Sequence, residues 1–382
     1  MRQQQRMPLS ETEYSRYARH LRLQGFGESA QLKLKAARVL VIGAGGLGSP
    51  ILLYLAAAGV GTIGIIDDDT VELSNLQRQI LFNSNNLGTP KSITAAEALR
   101  AINPLIEVIT YTYKLSTANA INIFSGYDVI ADGSDNFPTR YLANDAAVLT
   151  GKPLVYGSVF RFEGQVSVFN YVDRNGERGP NYRDLFPVPP PPGSVPDCNE
   201  AGVLGVLPGI IGSMQALEIL KIIAGIGTIL SGRIFHFDAL SQQSQTFMLN
   251  RNKDNPLNGD HPAINALIDY DVFCSGGVAI NQLSPAQLEQ MMVNGEAFDL
   301  IDVRTATEYN EINIGATLMP LEDILAGELR VNPDRIQVLH CKSGSRSTRA
   351  IRHLMSEANA NNLNLYNLQG GLDAYLDYKQ SQ

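Results

Sequence analysis

The chain has 382 residues, of which 44% are apolar and 18% charged, and its formal net charge is −8. This length and composition predict a globular protein of two or three domains, and the acidic balance argues against a nucleic-acid partner. Because the N-terminus has no apolar leader and the three cysteines make no disulfide framework, we expect a cytoplasmic protein with no membrane partner.

Strand and helix patterns divide the chain into two α/β domains. A helical, arginine-rich lead over 8–30 precedes ARVLVIGAGGLGSPILLYLAAAGVGTIGIIDDD, which predicts strand, glycine turn, helix and strand. YDVIADGSDN and PLVYGSV predict buried strands, EGQVSVFNY and RIFHFDAL antiparallel strands, and SMQALEILKIIAG a buried helix. We predict a Rossmann-like domain with a mixed sheet over 1–250, a polar linker over 251–277 and a small α/β domain over 278–382.

A glycine-rich turn follows the first predicted strand. Gly43, Gly45 and Gly48 match the pattern GxGxxG, whose glycines let the backbone approach a phosphate at a helix N-terminus. Asp67 ends the second strand, where a carboxylate suits ribose hydroxyls. Alone, this pattern is typical of a dinucleotide-dependent oxidoreductase, which stays one alternative.

Charged residues beyond this turn favour chemistry at a phosphate. Arg78 and Lys91 would neutralise the charge that builds when the α-phosphate of ATP is attacked, which hydride transfer does not need. Asp135, in DGSDN at a strand end, is suited to holding Mg²⁺ through oxygen. The alternative for Arg78 and Lys91 is a solvated helix face.

Several motifs, in order, carry a resemblance to a known family. RYARHLRLQGFG, GAGGLGSP, SNLQRQ, GTPK, DGSDNFPTRYLAND, FEGQVSVF and EAGVLGVLPGIIGSMQALEILK together resemble the MoeB/ThiF family of adenylating enzymes over residues 8–250. The resemblance implies a homodimer that uses Mg-ATP to adenylate the C-terminal Gly-Gly carboxylate of a small ubiquitin-like sulfur-carrier protein. It implies that Asp135 and Arg78 are catalytic and that Arg19 reaches the active site, from this subunit or its partner. The residues that it places around Mg-ATP are Gly43, Gly45, Gly46, Asp67, Ser74, Asn75, Arg78, Lys91, Asp135 and Asn136.

The resemblance also implies a structural zinc, which two CxxC pairs hold in most relatives. Here GPNYRD places Asn181 and Asp184 at the first pair, and NPLNG places Asn255 and Asn258 at the second. All four thiolates are absent, and asparagine is not a zinc ligand. We therefore expect no structural zinc, with packing and hydrogen bonds in its place.

A cysteine loop marks the C-terminal domain. In VLHCKSGSRST, Cys341 closes a strand before a helix, so that backbone N–H groups, the helix N-terminus and Arg346 would stabilise its thiolate and hold an anion. With LIDVRTATEY and LQGGLDAY, this loop resembles rhodanese sulfurtransferases over 278–382. The resemblance implies that Cys341 carries a persulfide, supplied by a sulfur donor such as a cysteine desulfurase. The alternative is a buried structural cysteine.

A third site residue, Cys198, lies in the loop GSVPDCNEAGVLGVLPG, after four prolines. In the rhodanese-fused branch of the family, a cysteine here forms a thioester or an acyl disulfide with the activated carrier, which makes Cys198 a candidate catalytic residue. The alternative is a spare loop thiol. A non-catalytic scaffold that docks ubiquitin-like proteins also stays open. So does the carrier, which could serve molybdopterin synthesis, thiamin synthesis or tRNA thiolation.

Overall fold

The computed structural model of the chain describes residues 8–190, 202–274, 280–327, 332, 335–356 and 363–380. Within these ranges the chain forms two units, which divide between Tyr270 and Asp271. Each unit is built on its own sheet.

The first unit is built on a mixed sheet. Its described strands are β1 (Arg38–Ile42), β2 (Thr62–Ile66), β3 (Glu107–Tyr111), β4 (Val129–Asp132), β5 (Leu154–Phe160), β6 (Glu163–Phe169), β7 (Arg233–Asp238) and β8 (Gln243–Met248). They lie in the order β3-β2-β1-β4-β5-β6-β7-β8. The strands from β3 to β5 are parallel, and β6, β7 and β8 extend the sheet in antiparallel pairs. The predicted Rossmann-like mixed sheet is confirmed.

Helices lie on this sheet and bury its parallel strands. They are α1 (Glu11–Arg16), α2 (Ala18–Leu21), α3 (Gly27–Ala36), α4 (Gly48–Ala58), α5 (Lys91–Ile102), α6 (Ala120–Ser125), α7 (Phe137–Leu149), α8 (Tyr182–Leu185) and α9 (Val206–Ala224). β2 is buried over its whole length, and β1 over all but its first residue. Both are continuous apolar runs because helices cover both faces of a parallel sheet.

The long apolar helix α9 is a core helix of this unit. By length and composition alone it could cross a membrane. It packs against α3, α4, β5 and β6. Its buried Gln215 donates to the carbonyl oxygens of Asp132 and Val155 at 2.8 and 3.2 Å, and its buried Glu218 accepts the backbone N–H of Leu230 at 2.9 Å. These buried polar contacts agree with the buried helix that the sequence predicts.

The first part of the predicted linker is hydrogen-bonded to the first unit. Asn252 donates its backbone N–H to Asp184 at 2.9 Å, and the Tyr270 hydroxyl donates to Asp145 at 2.8 Å. Asp145 also forms a fully buried ion pair with Arg183. The first unit therefore extends to Tyr270, beyond the boundary predicted at 250. Composition predicted a linker because asparagine, aspartate and proline are typical of exposed loops, whereas here polar side chains serve as internal hydrogen-bonding partners.

The second unit has a parallel sheet of its own. Its described strands lie in the order β11-β10-β12-β13-β9, and every described pair is parallel. The strands are β9 (Asn281–Leu283), β10 (Phe298–Asp302), β11 (Thr317–Leu318), β12 (Ile336–His340) and β13 (Asn364–Leu368). The helices are α10 (Tyr270–Cys274), whose first residue belongs to the first unit, α11 (Pro285–Asn294), α12 (Ala306–Glu311), α13 (Leu321–Leu325), α14 (Ser345–Ser356) and α15 (Gly371–Gln380). This arrangement matches the small α/β domain that the sequence predicts.

Candidate active sites

The glycine turn of the first unit makes close backbone contacts that only glycine permits. Gly43 has a φ of 83°, and a Cβ there would lie 3.1 Å from the carbonyl oxygen of Gly133, in the turn after β4. A Cβ at Gly48 would lie 1.9 Å from the carbonyl oxygen of Gly43. At Gly46 a Cβ would meet the side chain of Arg78 at 3.5 Å. The fold thus brings Gly46, Arg78 and the turn after β4 together at one edge of the sheet.

Asp67 supports this turn at the carboxyl end of β2. Its Oδ2 accepts the backbone N–H of Ala44 at 2.7 Å, and its Oδ1 accepts that of Asp69 at 2.9 Å. Burial raises the pKa of Asp67, and the charge of Lys91 and the two N–H donors oppose that rise. Asp67 therefore fixes the shape of the glycine turn, in addition to the ribose contact predicted for it.

Lys91 is buried beside this carboxylate. It lies at the start of α5, only 5% exposed, and its Nζ is 2.8 Å from Oδ2 of the largely exposed Asp69. A solvated helix face therefore does not describe Lys91. A buried ammonium whose ion-pair partner is an exposed carboxylate is well suited to receive a phosphate.

The motif SNLQRQ forms the wall opposite the glycine turn. Asn75 is buried and accepts the backbone N–H of Glu72 at 3.2 Å, while Ser74 is exposed. The half-buried Arg78 donates to the carbonyl oxygen of Ser74 at 3.0 Å. Gln79, which was not predicted as a site residue, is also buried, and its Oε1 accepts no hydrogen bond from the described residues. A Cβ at Gly45 would lie 3.7 Å from its Nε2, so Gln79 adjoins the phosphate-facing turn.

The turn after β4 carries the predicted magnesium residue. Asp135 is exposed, and Asn136 caps α7 by accepting the backbone N–H of Thr139 at 2.9 Å. Behind them, Oδ1 of the buried Asp132 accepts the N–H and the hydroxyl of Ser134 at 2.9 and 2.6 Å. Asp132 was also missed from the sequence, where an aspartate that ends a strand reads as an ordinary turn residue.

Two predicted residues are not joined to this site. Arg19 is exposed on α2, and the described hydrogen bonds and ion pairs include none between it and the other predicted residues. Cys198 lies outside the described residues. The structure therefore tests the role of neither.

Cys341 ends its strand inside a ring of hydrogen-bond donors. Its sulfur is buried and accepts the backbone N–H of Gly344 at 3.1 Å and the hydroxyl of Ser347 at 3.6 Å. Gly344 has a φ of 96°, which turns the backbone back toward the sulfur. Leu372 donates its N–H to the carbonyl oxygen of Cys341 at 2.8 Å, which ties the loop to α15. One backbone N–H and one hydroxyl therefore point at the sulfur, an arrangement that suits a sulfur anion.

Arg346 is held against this loop by Glu308. Its Nη1 and Nη2 lie 2.8 and 2.6 Å from Oε2 and Oε1 of Glu308. This pairing, together with the nearby Cys341, raises the pKa of Arg346, and the same pairing lowers the pKa of Glu308 to about 2. Glu308 also completes a capping box with Thr305 at the start of α12. Glu308 was missed as a site residue, although the pattern Thr-x-x-Glu in LIDVRTATEY was the signal.

The four residues at the positions where most relatives have zinc-binding cysteines form a hydrogen-bonded cluster. The Asn181 amide donates to Oδ1 of Asn258 at 2.8 Å, and the Asn255 amide donates to Oδ1 of Asp184 at 2.7 Å. Oδ2 of Asp184 accepts the backbone N–H of Asn181 at 2.7 Å. The Asn181 and Asn255 amides are therefore oriented toward their neighbours, whereas the buried Nδ2 of Asn258 donates to none of the described residues, and this set of side chains does not fit a structural zinc.

These two sites define an enzyme that activates a substrate with a nucleotide and carries a reactive cysteine in a second domain. A model described as the ThiF family matches residues 17–258, and one described as a rhodanese-like domain matches residues 284–378. The chain belongs to the ThiF family and carries a C-terminal rhodanese-like domain. It is an adenylyltransferase with a sulfurtransferase domain, and the oxidoreductase and scaffold alternatives are set aside.

Relatives with both domains match nearly the whole chain. It is 45% identical to the probable adenylyltransferase/sulfurtransferase MoeZ of Mycobacterium tuberculosis, over 97% of this chain and 95% of that protein. It is 39% identical to the adenylyltransferase and sulfurtransferase MOCS3 of Mus musculus, over 97% and 86%. The sulfur carrier protein adenylyltransferase of Thermus thermophilus is 50% identical over 70% of this chain and 99% of its own length.

A solved structure supports the fold. The E. coli MccB structure superposes with a TM-score of 0.58 at 21% identity, over 66% of this chain and 75% of that one. At this identity the likeness shows the fold alone.

Proposed function

We propose that this chain adenylates the C-terminal Gly-Gly carboxylate of a small ubiquitin-like sulfur carrier and converts it to a thiocarboxylate with sulfur from a Cys341 persulfide. One observation carries this proposal: the same chain holds a cation-lined glycine turn and a cysteine loop shaped for a sulfur anion. The names of the relatives from M. tuberculosis and T. thermophilus agree with it.

The adenylation step uses residues at the carboxyl edge of the first sheet. A carboxylate oxygen of the carrier attacks the α-phosphorus, and the bond to pyrophosphate breaks, so that pyrophosphate leaves with the bonding electrons. Lys91 and Arg78 offset the charge that develops. Because Gly43, Gly45 and Gly46 carry no side chain, the backbone N–H groups of the turn would be accessible to the phosphates.

Asp135 is the residue that would hold Mg²⁺. Its exposed carboxylate is a hard oxygen ligand, and the described residues contain no cluster of three or more acidic, histidine or cysteine side chains for a metal. Asp135 would therefore share the ion with the phosphates rather than complete a protein cage. When bound, Mg²⁺ supplies charge neutralisation to the leaving pyrophosphate.

The sulfur step uses the loop at Cys341. The terminal persulfide sulfur attacks the acyl carbon of the adenylate, and AMP leaves. A thiol then attacks the Cys341 sulfur, breaks the S–S bond and releases the thiocarboxylate, while that thiol is oxidised to a disulfide. Gly344 and Ser347 would stabilise the sulfur anion in this loop. Cys198 is our candidate for the residue that receives the activated carrier as a thioester or acyl disulfide.

Reconstitution tests the proposal. Purified chain, Mg-ATP, thiosulfate, a reducing thiol and a carrier that ends in Gly-Gly should yield carrier whose mass has changed by one oxygen-to-sulfur exchange. A carrier that lacks its terminal glycine is the control and should stay unchanged. Failure of the intact carrier to be converted would refute the proposed function. If Cys198→Ala converted the carrier at the wild-type rate, Cys198 would have no part in it.

We further propose that the assembly is a cytoplasmic homodimer supplied by a sulfur donor such as a cysteine desulfurase. Arg19 is exposed on α2 and forms no hydrogen bond or ion pair with the other predicted site residues among those described, which supports a role for it in the partner subunit's site. Mixing Arg19→Ala chains with Asp135→Ala chains should restore pyrophosphate exchange if Arg19 acts across the dimer. No restoration would place Arg19 in its own subunit's site.

We also propose that the cluster of Asn181, Asp184, Asn255 and Asn258 makes zinc unnecessary. Elemental analysis should find far less than one zinc per chain, and a chelator should leave the unfolding temperature unchanged. The fourfold variant Asn181→Cys, Asp184→Cys, Asn255→Cys, Asn258→Cys should instead bind zinc. Stoichiometric zinc in the wild-type chain would refute the proposal.

A further inference from the structure

The turn that carries Asp135 is held from behind by a buried carboxylate. Asp132 ends β4 and is 1% exposed. Its Oδ1 accepts two hydrogen bonds from Ser134, one from the backbone N–H and one from the hydroxyl. Both bonds join Asp132 to the residue two positions further on, across Gly133, in the segment that leads to α7. The direction in which Asp135 leaves the sheet is therefore set by the carboxylate of Asp132.

Further contacts fix the same turn to the nucleotide edge of the sheet. The N–H of Gly133 donates to the carbonyl oxygen of Ile42 at 2.8 Å, at the end of β1. The buried Arg140 donates to the carbonyl oxygen of Ser134 at 3.3 Å. From α9, Gln215 donates to the carbonyl oxygen of Asp132. The turn is thus tied to β1, α7 and α9, and its exposed members are Asp135 and Asn136.

The second oxygen of the Asp132 carboxylate lacks a hydrogen-bond donor among the described residues, so hydrogen bonding alone does not explain an aspartate at this position. Oδ2 of Asp132 is buried and accepts no hydrogen bond from the described residues. Burial raises the pKa of Asp132, and the nearby Arg140 opposes the rise. A carboxylate with one unpaired buried oxygen costs free energy, so a residue of this kind is consistent with a role beyond stability.

We propose that Asp132 is a positioning residue for adenylation, which holds the turn so that Asp135 faces the glycine turn at Gly43 and Gly46. This inference rests on the role proposed for Asp135. In this proposal Oδ1 of Asp132 fixes the backbone of the turn. The atom at that position must accept hydrogen bonds but need not carry a negative charge. Asparagine keeps such an acceptor, whereas alanine does not.

Three variants separate these requirements. Asp132→Ala removes both hydrogen bonds and should lower carrier-dependent pyrophosphate exchange about 10²-fold, as expected when a reacting group is displaced by about 1 Å. It should also raise the Mg²⁺ concentration needed for half-maximal exchange, because the displaced group is the proposed ligand. Ser134→Ala loses the shorter bond only and should lose less than about tenfold. Asp132→Asn should stay within about fivefold of wild type, with an unchanged Mg²⁺ dependence.

Backbone hydrogen exchange over 133–136 provides a readout that does not need activity. Protection should fall in Asp132→Ala and be kept in Asp132→Asn. Thiosulfate sulfurtransferase activity of each preparation reports on the other unit and should not change. If Asp132→Asn were as inactive as Asp132→Ala, the charge would be what matters and the proposal would be wrong. A wild-type enzyme inactive in pyrophosphate exchange would overturn the role of Asp135. The protection of the backbone from hydrogen exchange would still decide whether Asp132 anchors the turn.

Discussion

The two sites differ in how far their charged groups are already paired. In the rhodanese-like unit, Arg346 is bound through two nitrogens by Glu308, and the sulfur of Cys341 already accepts hydrogen bonds from the loop. In the adenylating unit, Asp135 lies exposed, and Oε1 of the buried Gln79 accepts no hydrogen bond from the described residues. The cysteine loop has its hydrogen bonds and its ion pair before any ligand binds. The nucleotide site instead has polar groups whose hydrogen bonds or charges a bound ligand would satisfy.

This difference follows from what each site must bind. A persulfide adds one sulfur atom to a side chain that the fold already holds, so all of its donors can come from the chain. A nucleotide brings several negative charges, and cations that were fully paired in advance would have to give up their partners first. Lys91 meets this demand through Asp69, which is exposed and able to move away.

The largest expected effect comes from removing the nucleophile of the preformed site. Cys341→Ala should abolish thiosulfate sulfurtransferase activity, because no other residue of the loop can carry a persulfide, and should leave carrier-dependent pyrophosphate exchange intact. Cys274→Ala, at the other buried cysteine of the described residues that is outside a disulfide, is the matched control and should keep both activities. Residual sulfurtransferase activity in Cys341→Ala would show that the sulfur is carried elsewhere.

The next largest effect is expected at the nucleotide site of the adenylating unit. Asp135→Ala should lower pyrophosphate exchange about 10³-fold, since one preorganised electrostatic contact at developing charge contributes an effect of this size. Asp68→Ala removes an exposed acidic side chain after β2 and serves as the control. The thiosulfate assay should be unchanged in both variants. Wild-type exchange in Asp135→Ala would remove this residue from the reaction.

A smaller effect should appear when the preformed ion pair is broken. Glu308→Gln leaves Arg346 without its anionic partner, so the guanidinium is no longer fixed beside Cys341 and kcat for sulfur transfer should fall about tenfold. Because the positive charge is then uncompensated, KM for the thiosulfate dianion should fall as well. Glu311→Gln, at an exposed position of the same helix, should change neither constant. Equal KM values in Glu308→Gln and wild type would mean that Glu308 does not offset the charge that thiosulfate meets.

The smallest effect concerns stability at acid pH. Arg346 lowers the pKa of Glu308 from 4.5 to about 2, so the pair stabilises the second unit fully above about pH 4.5 and loses this contribution as the pH falls toward 2. After a discount for solvent screening we expect about 1 kcal/mol. Hydrogen exchange of α12 and α14 in the full chain should show this loss in wild type and not in Glu308→Gln. A parallel decline in both would exclude the pair as its source.

The sequence was informative wherever function depends on chain order. Parallel strands end at one edge of a sheet, so Gly43, Asp67 and Asp135 could be placed at that edge from the strand pattern alone. The loop at Cys341 followed from its short spacing to Arg346. In both cases local geometry determines where the residue lies.

Other features depend on distant partners and could not be read this way. The burial of Lys91, its ion pair with Asp69 and the pairing of Glu308 with Arg346 exist only after the elements pack. The sequence showed that zinc thiolates were missing but not that the replacing side chains bind one another. Single-residue chemistry was predictable, and partnership across 22 or more positions was not.

The hydrogen bond of the Tyr270 hydroxyl determines how short a fragment of the adenylating unit can be. It donates to Asp145 inside a buried ion pair with Arg183, far beyond residue 250 in the chain. A fragment that ends at 250 would leave that carboxylate short of one donor and would also lose Asn255 and Asn258. An expression fragment meant to adenylate without transferring sulfur should therefore end after Tyr270, and we expect shorter fragments to be insoluble.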